Sequence, residues 1–207
     1  MLILYSIIVL IFSVIAHEVA HGLVALKLGD QTAKNDGRLT LNPLKHLDPV
    51  GSVIVPLFLA LLHGPIFGWA KPVLYDPRNL KNPHRDAGLI AAAGPLANLA
   101  IAIIFGLLAR LLLFAPATEF IGAMILFFSV IIQINLALAI FNLLPIPPLD
   151  GSGVLLSLLP ARLRSIEGVL RRYGFIILII LIFYGLDFLG PLITRLYTLI
   201  AGPAAFL

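Results

Sequence analysis

Residues 1–28 form an almost unbroken apolar run, interrupted by His17-Glu18-Val19-Ala20-His21. As one α-helix rising about 1.5 Å per residue, the run is long enough to cross a hydrocarbon core of roughly 30 Å. A helix places residues four apart on one face, so His17 and His21 point the same way, with Glu18 about 100° round from His17. Ionisable groups inside a span are expensive and mark function by default. His-Glu-x-x-His on a helix suits a zinc ion bound by two imidazoles, with a carboxylate beside them as base. Zinc acidifies water, and Glu18 stands where it can take the proton. His17 and His21 lie about 23–28 Å along the helix from Leu2, still at membrane depth. The competing interpretation is a pair of satisfied core histidines beside a glutamate.

The rest of the chain fits a membrane setting. Of its 207 residues 60% are hydrophobic and 12% charged, and its mean hydropathy is +1.07. An ordinary soluble domain is far less apolar. The expected fold is an all-α polytopic membrane protein. It is a bundle of about four to six transmembrane helices with a re-entrant or extended hairpin segment. One integral-membrane domain is expected over 1–207, with its catalytic core in about 1–160. The lipid bilayer is the implied partner. The formal net charge of +4 gives no reason to expect nucleic acid. Without cysteine, disulfide and thiolate chemistry are excluded. Residues 1–16 lack the basic start and small-residue cleavage site of a signal peptide, so they read as a retained span.

In chain order, Lys27 opens a polar stretch to Asp48 in which residues 37–42 alternate in character, as in a short strand. Residues 49–62 are apolar but too short for an ordinary span, and 63–70 suit extended chain. Together they read as a re-entrant hairpin. Asp86 is a candidate cap for a helix over about 87–114, whose first half is rich in the small residues that let membrane helices approach closely. Further spans are expected at about 120–144 and 175–189, the latter broken by Gly190-Pro191, with a short helix at 153–159 stopped by Pro160. Twelve of the 14 Lys and Arg fall in three loops, all but Arg110 and Arg195. Basic loops favour the cytoplasmic side, which puts the N-terminus outside.

Catalytic zinc takes a third protein ligand and keeps one position open. Asp150 is the candidate. Pro145, Pro147 and Pro148 prevent a regular helix before it, leaving Asp150 on irregular chain that can turn back to the metal, with Gly151 easing the bend. The alternative for Asp150 is a surface turn. Asn142 can donate an amide hydrogen to an oxyanion or substrate carbonyl, or cap a helix end. Asn98 shares a helix face with Gly94 and either reaches the site or makes an interhelical hydrogen bond. Gln133 and Asn135 read as packing residues; His46, His63 and His84 as solvated or structural; Asp187 and Arg195 as a pair across the last bend.

The pentad in a first span, Ala93-Gly94-Pro95-Leu96-Ala97-Asn98 in a later one and the stretch from Asn142 to Gly151 near a third together resemble the site-2 protease family of intramembrane zinc metalloproteases. Phe67-Gly68-Trp69-Ala70-Lys71-Pro72 is similar to a loop of its compact prokaryotic branch. The resemblance implies one zinc ion held by His17, His21 and Asp150, with Glu18 as catalytic base. It implies that Asn98 and Asn142 position substrate or transition state, and that the substrate is a transmembrane protein. Larger members carry a span before the pentad, a periplasmic peptide-binding domain or a nucleotide-sensing tail, none of which is evident here. A non-proteolytic zinc protein, either transporter or sensor, is the alternative class, and a scaffold pinned by its metal a third.

Overall fold

The computed structural model describes residues 2–61, 71–160 and 165–202, and within these every regular element is helical. Helix α1 (Leu2–Lys27) carries the pentad; α2 (Thr32–Asn35) and a 3-10 turn (Pro43–Lys45) follow. A wide helical turn (Pro49–Ile54) leads into α3 (Val55–Leu61), and a second 3-10 turn (Pro77–Asn79) precedes α4 (Pro83–Leu112). Then come α5 (Glu119–Asn142), α6 (Asp150–Leu158), α7 (Ser165–Tyr184) and α8 (Leu189–Ala201). Helices α1, α4 and α5 are long and apolar enough to cross a membrane. The α7–α8 pair, bent by 78°, makes a fourth span if counted as one. The polytopic helical bundle is therefore present, with three to four candidate spans among the described residues.

Helix α4 is central and packs against α1, α5, α6 and α8. Lipid tails are as apolar as leucine, so side-chain packing and polar bonds hold such helices together. Small residues Ala102, Gly106 and Ala109 form a close-approach stripe on α4, and a side chain at Gly106 would run into Ile200 of α8. Ile125, Ile132 and Leu136 of α5 and Tyr197 and Ala201 of α8 complete this core. Inside it, the Tyr197 and Ser129 hydroxyls hydrogen-bond at 2.6 Å. Large apolar residues of α1, α4, α5 and α7 face outward, the surface expected of helices solvated by lipid.

Several local expectations are corrected. Residues 37–42 form bends and turns, not a strand, because Arg38 and Thr40 are tied within their own loop. The Arg38 guanidinium donates to the Lys45 carbonyl, and His46 Nε2 donates to the Thr40 carbonyl at 2.9 Å. Helix α4 starts four residues before Ala87, at Pro83, a good first helical residue because it has no N–H to satisfy. Asp86 still serves this terminus, from inside the first turn, by accepting the Asn82 N–H at 2.9 Å. Helix α6 begins at Asp150, three residues before Gly153. The late break falls at 185–188; Gly190 and Pro191 lie in the first turn of α8. Asp187 and Arg195 form no ion pair with each other among the described residues.

The two ends of the apolar segment 49–70 meet. The Lys71 N–H donates to the His46 carbonyl at 2.8 Å, and the Asn79 amide donates to Asp30 at 2.7 Å. Both flanks therefore lie at one end of the bundle, as a re-entrant path requires. The second half of that path, 62–70, which includes His63, lies outside the described residues.

Candidate metal centre

Ser13, His17 and His21 follow one another at four-residue spacing along α1, and Ile90, Gly94 and Asn98 do the same along α4. The two stripes face each other with the helices antiparallel. His17 meets Asn98 near one end of the contact, and His21 meets Ile90 near the other. The His17 Nδ1–H donates to Asn98 Oδ1 at 2.6 Å, and the His21 Nδ1–H donates to the Ile90 carbonyl at 2.6 Å. A backbone carbonyl only accepts, so His21 must carry hydrogen on Nδ1. Both rings thus turn Nε2 the other way, and they stack edge to face with centroids 4.7 Å apart.

Gly94 makes room for them. A Cβ there would lie 2.5 Å from His17 Nε2 and would overlap His21 Nε2 as well. Here the value of glycine is the missing side chain rather than backbone freedom. The same holds at Gly151, where a Cβ would sit 2.5 Å from the Leu144 carbonyl oxygen and overlap that of Leu143. The chain leaving α5 folds tightly onto its own helix end through a turn with a cis Pro147–Pro148 bond, and α6 starts against it.

That turn brings Asp150 back to α1 as the first residue of α6, not on irregular chain. Its Oδ2 lies 2.9 Å from His17 Nε2 and 3.3 Å from His21 Nε2. The three ligand atoms all fall within 4.8 Å of one another. The histidines are buried and the Asp150 side chain is 22% exposed, so the cluster is open on one side. With both Nδ1 atoms engaged, the two Nε2 atoms point at the same Asp150 carboxylate oxygen. Asp150 Oδ2 has no hydrogen-bond partner although it is shielded from solvent. Two imidazole nitrogens and a carboxylate oxygen converging on one point fit a cation. Two nitrogens and one oxygen with an open side are a donor set that zinc accepts.

Glu18 belongs to the rim of this cluster. Its Oε2 accepts the Val73 backbone N–H at 2.8 Å, which ties it to the chain emerging after residue 70. The other sequence candidates divide. Asn98 is brought to the centre, where it grips His17. Asn142 is not: its amide donates to the Leu138 carbonyl at 3.0 Å, one turn back on α5. Asn135, read from sequence as a packing residue, is fully buried and donates its amide to Asn98's neighbourhood on α1, at Ser13 Oγ, 2.9 Å away. Its position seven residues before Asn142 on a mostly apolar helix was the available signal.

The chain is 44% identical to a Bacillus subtilis protein provisionally named zinc metalloprotease YwhC, over 181 residues, which are 86% of this chain and 79% of that one. The chain belongs to peptidase family M50. The model for that family matches residues 114–181, a stretch that includes Asp150. A Methanocaldococcus jannaschii protein provisionally named zinc metalloprotease MJ0611 is 36% identical, over 73% of this chain and 72% of its own length. Rip2 of Mycolicibacterium smegmatis, provisionally named likewise, is 30% identical over 83% of this chain and 64% of its own length. No solved structure matches at comparable significance. Membership in family M50 and the apolar helices together make the chain a multi-pass membrane zinc metalloprotease of the site-2 protease type.

Proposed function

We propose that this M50 chain is an intramembrane endopeptidase. It hydrolyses a peptide bond within or beside a transmembrane segment of a membrane-protein substrate. The observation that carries the reading is the convergence of the His17, His21 and Asp150 lone pairs at one buried point on apolar helices. These three residues would hold one zinc ion per chain, which would supply Lewis acidity toward water and the scissile carbonyl.

The remaining steps belong to side chains. Glu18 takes a proton from the attacking water and delivers it to the leaving nitrogen. Helix α1 sets it one residue past His17, and the Val73 N–H donates to its Oε2. Asn98 keeps His17 correctly turned. Asn142, whose amide donates to the Leu138 carbonyl in this structure, is the candidate donor to the developing oxyanion. The substrate helix unwinds locally first, since its carbonyls are otherwise engaged in its own hydrogen bonds. The N-terminus lies outside the cell and the basic loops in the cytoplasm.

The test pairs metal analysis of the purified chain with cleavage of a model single-span substrate. Wild type should hold one zinc per chain. Glu18→Gln should keep that zinc and cleave at least about 100-fold more slowly, the usual scale of a lost general base. Full activity in Glu18→Gln removes Glu18 from this role. Zinc flux into vesicles with no cleavage at all would place the chain in the transporter class.

A further inference from the structure

The polar contacts around His17 continue past Asn98 to a third helix. Asn98 and Asn135 are fully buried, and Ser13 is nearly so. Asn98 donates to the Ser13 carbonyl at 3.2 Å and to Asn135 Oδ1 at 2.8 Å. Asn135 in turn donates to Ser13 Oγ at 2.9 Å and to the Ile131 carbonyl at 2.9 Å. Two amides and a hydroxyl in a helix interface are costly unless mutually satisfied, and here they are.

The chain of bonds has one direction, fixed at two points by backbone carbonyls, which only accept. Ile131 accepts from Asn135, so the Asn135 amide nitrogen lies on that side and its Oδ1 faces Asn98. Ser13 accepts from Asn98, so the Asn98 nitrogen lies there and its Oδ1 faces His17. An oxygen facing His17 Nδ1 requires hydrogen on that nitrogen. The lone pair then stands on Nε2, the atom 2.9 Å from Asp150.

We propose that Asn135 and Ser13 are positioning residues of the metal centre, acting through Asn98 to hold His17 in the tautomer and orientation that bind the ion. The inference rests on the zinc reading above. Outer partners of metal-binding histidines fix the tautomer and ring orientation in this way, and losing one typically costs 10–100-fold in metal affinity or activity. His21 needs no such relay, because a backbone carbonyl orients it directly.

The experiment measures zinc affinity of the full-length chain in detergent by chelator competition, together with the visible absorption of the Co²⁺-loaded protein. Asn135→Leu keeps the branched shape in a larger side chain and removes the amide; it should weaken zinc binding about tenfold and alter the cobalt spectrum. Ser13→Ala should weaken it by a smaller factor. Ser129→Ala, which removes a buried hydroxyl elsewhere on α5, should leave both readouts unchanged. In an Asn98→Ala background the effect of Asn135→Leu should largely vanish, because the link to His17 is already gone. Independent losses that multiply in the double variant would overturn the proposal, since they signify general loosening of the bundle. Wild-type affinity in Asn135→Leu overturns it alone. A wild-type chain that takes up neither zinc nor cobalt overturns the functional reading and this inference with it. If Asn135→Leu does not fold, Ser13→Ala decides, and an unchanged affinity and spectrum there would count against the proposal.

Discussion

A missing side chain decides whether the two imidazoles can share an ion. Gly94→Ala puts a methyl group where His17 Nε2 and His21 Nε2 lie, and buried imidazoles wedged against α4 have no free direction in which to retreat. The expected outcome is a fall in zinc affinity of at least about tenfold, read by chelator competition, the scale on which metal sites respond to misplaced ligands. Gly122→Ala on α5 is the matched control. Nothing lies within 4 Å of its Cβ, so it should keep zinc and gain about 0.5–1 kcal/mol from reduced backbone freedom. At this scale the grouping of His17, His21 and Asp150 was legible in sequence, because ionisable residues stand out against an apolar background. Asn98 was visible as a candidate, but its partner was not, since an amide at four-residue spacing fits a helix interface and a site equally well. Asn142 shows the converse. Its position suggested an oxyanion donor, while its side chain bonds to its own helix.

Elements were predicted well where hydropathy runs long and poorly at their ends. Pro191 illustrates why. Proline ends a helix only when the N–H it lacks is needed, and in the first turn of α8 no earlier carbonyl within the helix awaits it. Pro191→Ala should therefore move stability by less than about 0.5 kcal/mol, as for a neutral surface change, measured by thermal unfolding in detergent. The segment 37–42 failed as a strand because alternation alone supplies no partner strand. Asp30 has a role that no motif announces. Burial works against its charge, yet bonds from Asn79 and Thr32 hold its carboxyl below the usual carboxylate range and fasten the end of α1 to the turn before α4. A carboxyl depressed on folding lends stability above its unfolded value of about 3.9, and that stability is lost as pH falls through the folded value. The gap in unfolding midpoint between wild type and Asp30→Ala should accordingly be widest near pH 6 and close toward pH 3. A gap independent of pH would mean that Asp30 acts by packing alone.

For the molecule as a whole, hydropathy predicts how many spans there are, whereas the contacts constrain which ends share a side. The Asp30–Asn79 and His46–Lys71 contacts join the loop after α1 to the loop before α4, so those two basic stretches lie at one end of the bundle whatever the path of 49–70. Helices α4 and α5 then form an out-and-back pair, which returns the chain to that end before Arg171 and Arg172 at the start of α7. Three basic stretches at one end leave the turn after α4, which carries no lysine or arginine over 113–118, at the other. We propose from the bias of basic residues that the former face the cytoplasm. A cysteine-free chain makes this directly measurable. A cysteine at the exposed Lys81 should react with a membrane-impermeant thiol reagent only after the cells are opened, and one at the exposed Ala117 should react in intact cells. The reverse pattern would invert the molecule. Labelling of both in intact cells would break the α4 crossing, and with it the argument that the metal centre sits within the membrane.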